Sequence, residues 1–262
     1  MKQLRIYKDL ISMSKACADY IFNKINESVK TDQMIDIILS GGKTPLGCYN
    51  NLANLIKKNN FPVQKLKWFF TDERWVPINH SESNEGMIRS VLLDKINSPS
   101  SNILSWNACK KDIFKCAFDY NNLIIHYYFN RQKNPSILLL GMGEDGHVAS
   151  LFPGGRILLR TGEFEEVSPT ILHAASALYI EKMKKWRLSL FPSILNKSSL
   201  IIFLISGESK KNSFHKVLEG MENIPANWIK GKKIIYFLTR ELVKMNDIEY
   251  DDNWPKLIDL LS

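Results

Sequence analysis

Asp145, Gly146 and His147 place a carboxylate two residues from an imidazole across a glycine. Such a pair can act as a general base with an orienting partner: the imidazole takes a proton and the carboxylate fixes its ring. Read alone, Asp-x-His is a weak motif, and a structural loop histidine is the commoner case. A second group is Asp72, Glu73 and Arg74. Arg74 can clamp a phosphate or stabilise a developing oxyanion, although such a cluster is more often a surface ion pair. A third is Ser40-Gly41-Gly42-Lys43-Thr44-Pro45. Two glycines let the backbone approach a ligand. Thr44 is suited to cap the next helix and Pro45 to open it, so its free amides face an anion. The alternative is a plain glycine-rich turn. It is not a Walker A loop, because G-x-x-x-x-G-K-[ST] is absent.

All three groups follow short apolar runs. Met34–Leu39, Leu66–Phe70, Ser136–Leu140, Leu200–Ser206 and Ile234–Leu238 read as strands. Between them, Pro45–Lys58, Asn84–Asp94, Ile113–Arg131 and Ser209–Leu218 carry helical spacing. In Ile113–Arg131 the expected inner face is Phe114, Ala117, Phe118, Leu123, Ile124 and Tyr127. Near-continuous apolar strands alternating with helices predict a mostly parallel sheet covered on both faces. Ligands of such sheets bind at the carboxyl ends of the strands, where the three groups fall. With no repeat and no break in composition, residues 1–262 read as one α/β domain, a three-layer sandwich with a Rossmann-like central sheet.

The 262 residues are 45% hydrophobic and 24% charged, ordinary for a globular protein, and no apolar run approaches the length of a membrane helix. The start, Met1-Lys2-Gln3-Leu4-Arg5, has no apolar core behind it and does not read as a signal peptide. Cys17, Cys48, Cys109 and Cys116 lack metal or redox spacing and read as reduced, packed thiols of a cytoplasmic protein. The net charge of +8 is spread over scattered lysine doublets, including Lys110-Lys111, rather than one basic block. That argues for solvated surface or attraction of a small anion, and against nucleic acid.

Gly141–Gly146 contains a literal G-x-G-x-x-G, but Pro153 and Gly154-Gly155 follow too soon for the helix a dinucleotide site needs. His80 is placed to line the second loop; His126, His173 and His215 lack acidic or nucleophilic neighbours. Neither a Gly-x-Ser-x-Gly elbow nor an H-E-x-x-H metal motif occurs.

Together, SGGKTP (Ser40–Pro45), DERWVP (Asp72–Pro77) with Ser83-Asn84, and LLGMGEDGHVASLFP (Leu139–Pro153) resemble the 6-phosphogluconolactonase family. Arg187–Leu190, Ser206–Lys210 and Ile224–Ala226 match in the same order. The resemblance implies hydrolysis of 6-phospho-D-glucono-1,5-lactone to 6-phosphogluconate, the second step of the oxidative pentose phosphate pathway, without metal or cofactor; a monomer is expected separately, because no long apolar surface stripe stands out in the sequence. It assigns His147 as the base that activates water, Asp145 as its orienting partner, and Arg74 as the group that steadies the developing charge. Ser40, Gly41, Gly42, Lys43, Thr44 and Asp72 would line the pocket, while Arg187 and Lys210 would supply positive charge to the phosphate.

Several residues depart from the family pattern. Val148 replaces a threonine after the histidine, Thr239 an acid near the last strand, and 155–186 is atypical. The related glucosamine-6-phosphate deaminases carry Asn-Glu-Pro where this chain has Leu151-Phe152-Pro153, and Phe152 cannot transfer a proton. A non-catalytic sugar-phosphate sensor is the other alternative, but the segment before Met34 offers only one helix and a short strand, too little for a DNA-binding module.

Overall fold

The computed structural model describes residues 1–29, 34–108, 112–158, 163–243 and 256–260. In chain order the strands are β1 (Lys2–Tyr7), β2 (Ile35–Leu39), β3 (Leu66–Phe70), β4 (Asp72–Arg74), β5 (Ile103–Leu104), β6 (Ile137–Leu140), β7 (Arg156–Leu158), β8 (Phe164–Glu166), β9 (Ala175–Ile180), β10 (Lys185–Leu190), β11 (Leu200–Ile205), β12 (Ile234–Thr239) and β13 (Lys256–Leu260). The α-helices are α1 (Leu10–Ser28), α2 (Leu46–Lys58), α3 (Asn84–Ile88), α4 (Ile113–Ile124), α5 (Pro192–Leu195) and α6 (Lys211–Leu218).

Eight strands form one sheet in the order β13-β1-β12-β11-β6-β2-β3-β5. Every neighbouring pair is parallel except β1 with β13, so this is the expected mostly parallel α/β sheet. Strands β2, β6, β11 and β12 are buried at every position, as their near-continuous apolar runs require. One acid interrupts them: Asp36 of β2 is fully buried, paired with Lys133 at 2.7 Å and accepting from the Tyr127 hydroxyl at 3.2 Å. All five predicted strands form, as do β1 and α1 ahead of them.

Three helical details differ from the sequence reading. Thr44 does not cap α2; the helix begins one residue later, with Pro45 in the cap position and no side-chain cap. The stretch after Ile124 passes into a wider π-type turn, Ile125–Phe129. The inner face of α4 is Ile113, Cys116, Ala117, Tyr120 and Ile124, whereas Phe114 and Phe118 are exposed. The buried set follows the i, i+3, i+4 rows of one stripe, and Phe114 packs edge-on against Trp186 at its margin.

A second sheet, absent from the sequence reading, is antiparallel in the order β4-β10-β9-β7-β8. It takes strands β7, β8 and β9 from the atypical 155–186 stretch and anchors β4, the segment that carries Arg74. Cys17, Cys48 and Cys116 are buried; Cys109 and the Lys110-Lys111 doublet lie outside the described residues. Among the described residues, no helix is long and apolar enough to cross a membrane.

Candidate active site

Because β2, β3, β6, β11 and β12 run parallel, their carboxyl ends open on one edge, where a cavity of about 300 Å³ lies. Ser40, Gly41, Gly42, Lys43, Thr44, Asp72, Arg74, His147 and Lys210 all line it. Two expected residues lie outside this lining: Asp145, which sits behind His147, and Arg187, one strand behind Arg74.

The Ser40–Thr44 turn is fixed from below, where the Tyr49 hydroxyl donates to the Ser40 carbonyl at 2.7 Å. Gly41 leaves room for Asn84, whose amide would overlap any added Cβ. Gly42 has φ +100°, a conformation that favours glycine. Asn84 also lines the cavity and donates to the Asp72 carbonyl at 3.1 Å.

The Arg74 loop is organised by a buried carboxylate. Glu73 accepts the backbone N–H groups of Arg74, Asn84 and Glu85 at 2.7–2.8 Å and the Ser83 hydroxyl at 3.1 Å. Burial pushes its carboxyl up; the three backbone donors act against that. A carboxylate at the start of α3 is also favoured by the helix end. Arg74 Nη1 donates to the Glu82 carbonyl at 2.8 Å. Arg74 stands directly opposite Arg187 in the β4–β10 register. Arg187 is 8% exposed and donates to its neighbour's carbonyl, Trp186 O, at 3.2 Å. Its pKa is lowered, first by burial and then by Arg74.

On the histidine loop, Nδ1 of His147 lies 2.6 Å from Asp145 Oδ1. Burial alone would raise the Asp145 carboxyl, but the hydrogen bond and charge of His147 outweigh it and hold the group below the usual range. The imidazole stacks on Phe152, with centroids 3.9 Å apart. Gly143 packs so close to the ring that a Cβ there would overlap Nδ1 and Cε1. With Nδ1 engaged by Asp145, Nε2 is the nitrogen left to serve a ligand in the cavity. After β6 the loop turns without starting a helix, so its glycines serve this packing rather than a dinucleotide. Asp72 ties the loops together: its carboxylate accepts the Thr71 hydroxyl at 2.7 Å and the Ser150 hydroxyl at 2.8 Å.

Lys210 follows β11. Burial lowers its pKa, and nearby Glu144 partly restores it. Sequence reasoning did not assign Asn84, Glu144, Met142, Gly141, Gly143 or Ala149 to the lining. Asn84 and the 141–144 stretch stood inside the motifs; Ala149, at φ +50°, carries no mark in its residue type. Val148 is 1% exposed and packs in the core rather than on the cavity. His80 accepts the Glu82 N–H at 3.1 Å on an exposed loop, away from the cavity lining.

Residues 8–237 match the profile of the family described as glucosamine-6-phosphate isomerases/6-phosphogluconolactonase. The 6-phosphogluconolactonase of Thermotoga maritima is 30% identical over 219 residues, covering 83% of this chain and 90% of that protein. A crystal structure of the 6-phosphogluconolactonase from Thermotoga maritima superposes with a TM-score of 0.76 at 26% identity, over 92% of this chain and all of that one. A monomeric glucosamine-6-phosphate deaminase shares the fold, with a TM-score of 0.75 at 22% identity over 92% and 98% of the two chains. The profile match over most of the chain places this protein in the glucosamine-6-phosphate isomerase/6-phosphogluconolactonase family.

Proposed function

We propose that the chain hydrolyses 6-phospho-D-glucono-1,5-lactone to 6-phospho-D-gluconate, with His147 as general base. The observation that carries this reading is the His147–Asp145 pair at 2.6 Å beside a cavity whose other walls bear Lys43, Arg74 and Lys210. One wall then supplies a base and the others charge for an anionic substrate. The volume, about 300 Å³, is at the small end for small-molecule sites and suits a phosphorylated six-membered ring.

Neutral His147 takes a proton through Nε2 from a water as its oxygen attacks the lactone carbonyl. The oxyanion so formed is stabilised by the positive charge of Arg74, with Arg187 behind it. Collapse breaks the bond to the ring oxygen, and the imidazolium returns its proton to that leaving oxygen. Asp145 holds the ring and stabilises its charged form. The lactone is already activated, so no covalent nucleophile is required. Lys210, Lys43 and the Ser40–Thr44 turn receive the phosphate.

The family also holds deaminases, and one residue weighs against that chemistry here. Phe152 stacks on the base and adds no second proton-transfer group. We place the reaction second in the oxidative pentose phosphate pathway and the protein, as a monomer of one domain, in the cytoplasm.

The test is lactone disappearance, with substrate generated in situ from glucose 6-phosphate and spontaneous hydrolysis subtracted. A fast wild type beside a folded, nearly silent His147→Ala is expected. Equal activity of the two would remove His147 from its role, and no activity in either would redirect the search to ammonia release from glucosamine 6-phosphate.

A further inference from the structure

We infer that Glu241 is a positioning residue for phosphate recognition: it holds the turn that delivers Lys210 to the cavity, without touching the substrate. The inference rests on the reading of Lys210 as a phosphate ligand.

Strands β11 and β12 are parallel neighbours, so the segments after them leave the same edge side by side. Glu241 lies in the single turn Arg240–Leu242 just past β12. Its Oε1 accepts the backbone N–H of Gly207 at 2.9 Å and also the Thr239 hydroxyl. Gly207 has φ +106°, so the chain reverses there in a conformation costly for other residues. The Gly207 carbonyl then accepts the Lys210 N–H at 3.0 Å, closing the turn. The Lys210 carbonyl accepts the hydroxyl of Ser213, which also reaches the Gly143 carbonyl on the histidine loop. Glu241 is absent from the cavity lining, and the carboxylate that acts on the Lys210 charge is Glu144. Glu241 therefore works through the backbone. Burial would raise its carboxyl, but the Thr239 and Gly207 donors and Arg240 outweigh that and keep it charged.

If so, loss of the acceptor weakens phosphate binding and spares the chemical step. The experiment compares wild type, Glu241→Ala, Glu241→Gln, Lys210→Met and the double variant Lys210→Met/Glu241→Ala. Each is assayed on the phosphorylated lactone and on unphosphorylated glucono-1,5-lactone, with Tm measured for all. Glu241→Ala is expected to raise KM for the phosphorylated lactone at least about tenfold, the worth of one hydrogen bond to a charged acceptor, with kcat within about twofold. Glu241→Gln keeps an oxygen facing Gly207 and should stay near wild type. Unphosphorylated lactone should show no change, and the double variant should be no worse than Lys210→Met.

An unchanged KM in Glu241→Ala, beside a raised KM in Lys210→Met, would overturn the inference while keeping Lys210 as ligand. Equal losses on both lactones would also overturn it, by making Glu241 merely structural. An unchanged KM in Lys210→Met would instead sink the phosphate reading of Lys210 and the inference with it. Should Glu241→Ala fail to fold, Glu241→Asp, one methylene too short to reach Gly207, takes its place with the same expected rise.

Discussion

The imidazole of His147 lies almost flat on the phenyl ring of Phe152, with centroids 3.9 Å apart and planes at 26°. Asp145 holds the same imidazole from its edge at 2.6 Å, so the ring is fixed by one polar and one apolar contact. Phe152 is outside the cavity lining, so its removal should act through the orientation of the base. Phe152→Ala is expected to lower kcat by about 10–100-fold with little change in KM. Phe152→Leu, which keeps an apolar face, should lose less. Initial rates checked against Tm decide this; an unchanged kcat in a folded Phe152→Ala would contradict it.

Asp145→Asn removes the charge that stabilises the imidazolium while leaving an oxygen of similar reach. We expect kcat to drop by about 10³-fold. The low carboxyl of Asp145 has a second consequence. A carboxyl depressed in the folded state contributes stability above its unfolded value, and that contribution is lost as pH falls through the folded value. The wild type's stability advantage over Asp145→Asn should therefore vanish in acid, as urea titrations at several pH values would show.

Gly143→Ala places a Cβ where Nδ1 and Cε1 of His147 lie. The ring must leave its position between Asp145 and Phe152. Activity should fall at least about 100-fold, the cost of a misplaced catalytic group, while the sheet and its Tm survive. A crystal structure of the variant would show the displaced imidazole directly; an undisturbed ring would refute the packing argument.

Glu73→Gln is conservative in shape and not in chemistry. Both carboxylate oxygens accept: Oε1 from Arg74 N and Asn84 N, Oε2 from Glu85 N and the Ser83 hydroxyl. A glutamine must turn its NH₂ toward one of those pairs. Leaving buried donors unmatched costs about 1–3 kcal/mol for each group, so we expect a loss of about 2–3 kcal/mol in urea unfolding. Because this loop carries Arg74, kcat should fall as well.

The parallel sheet was legible because its strands are buried on both faces. Runs such as Leu200–Ile205 and Ile234–Leu238 then need no polar partner side, and their apolar continuity shows in the sequence. The loops that line the cavity were legible because they follow these strands and carry distinctive residue types: paired glycines, a carboxylate two residues from an imidazole, an arginine after a strand. The second sheet was not legible. Its strands β4, β7 and β8 are three residues each, too short to carry a period. Long-range pairing forms them, and that pairing sets Arg74 opposite Arg187. Nor did composition reveal that Phe152 would lie on His147, that Val148 would turn into the core, or that Glu241 would reach Gly207 thirty-four residues away. Residue type and spacing specify the local chemistry of each loop. Which loops meet, and which side chains hold the reacting ones still, depends on contacts between segments distant in the chain, and only the folded sheet edge brings them together.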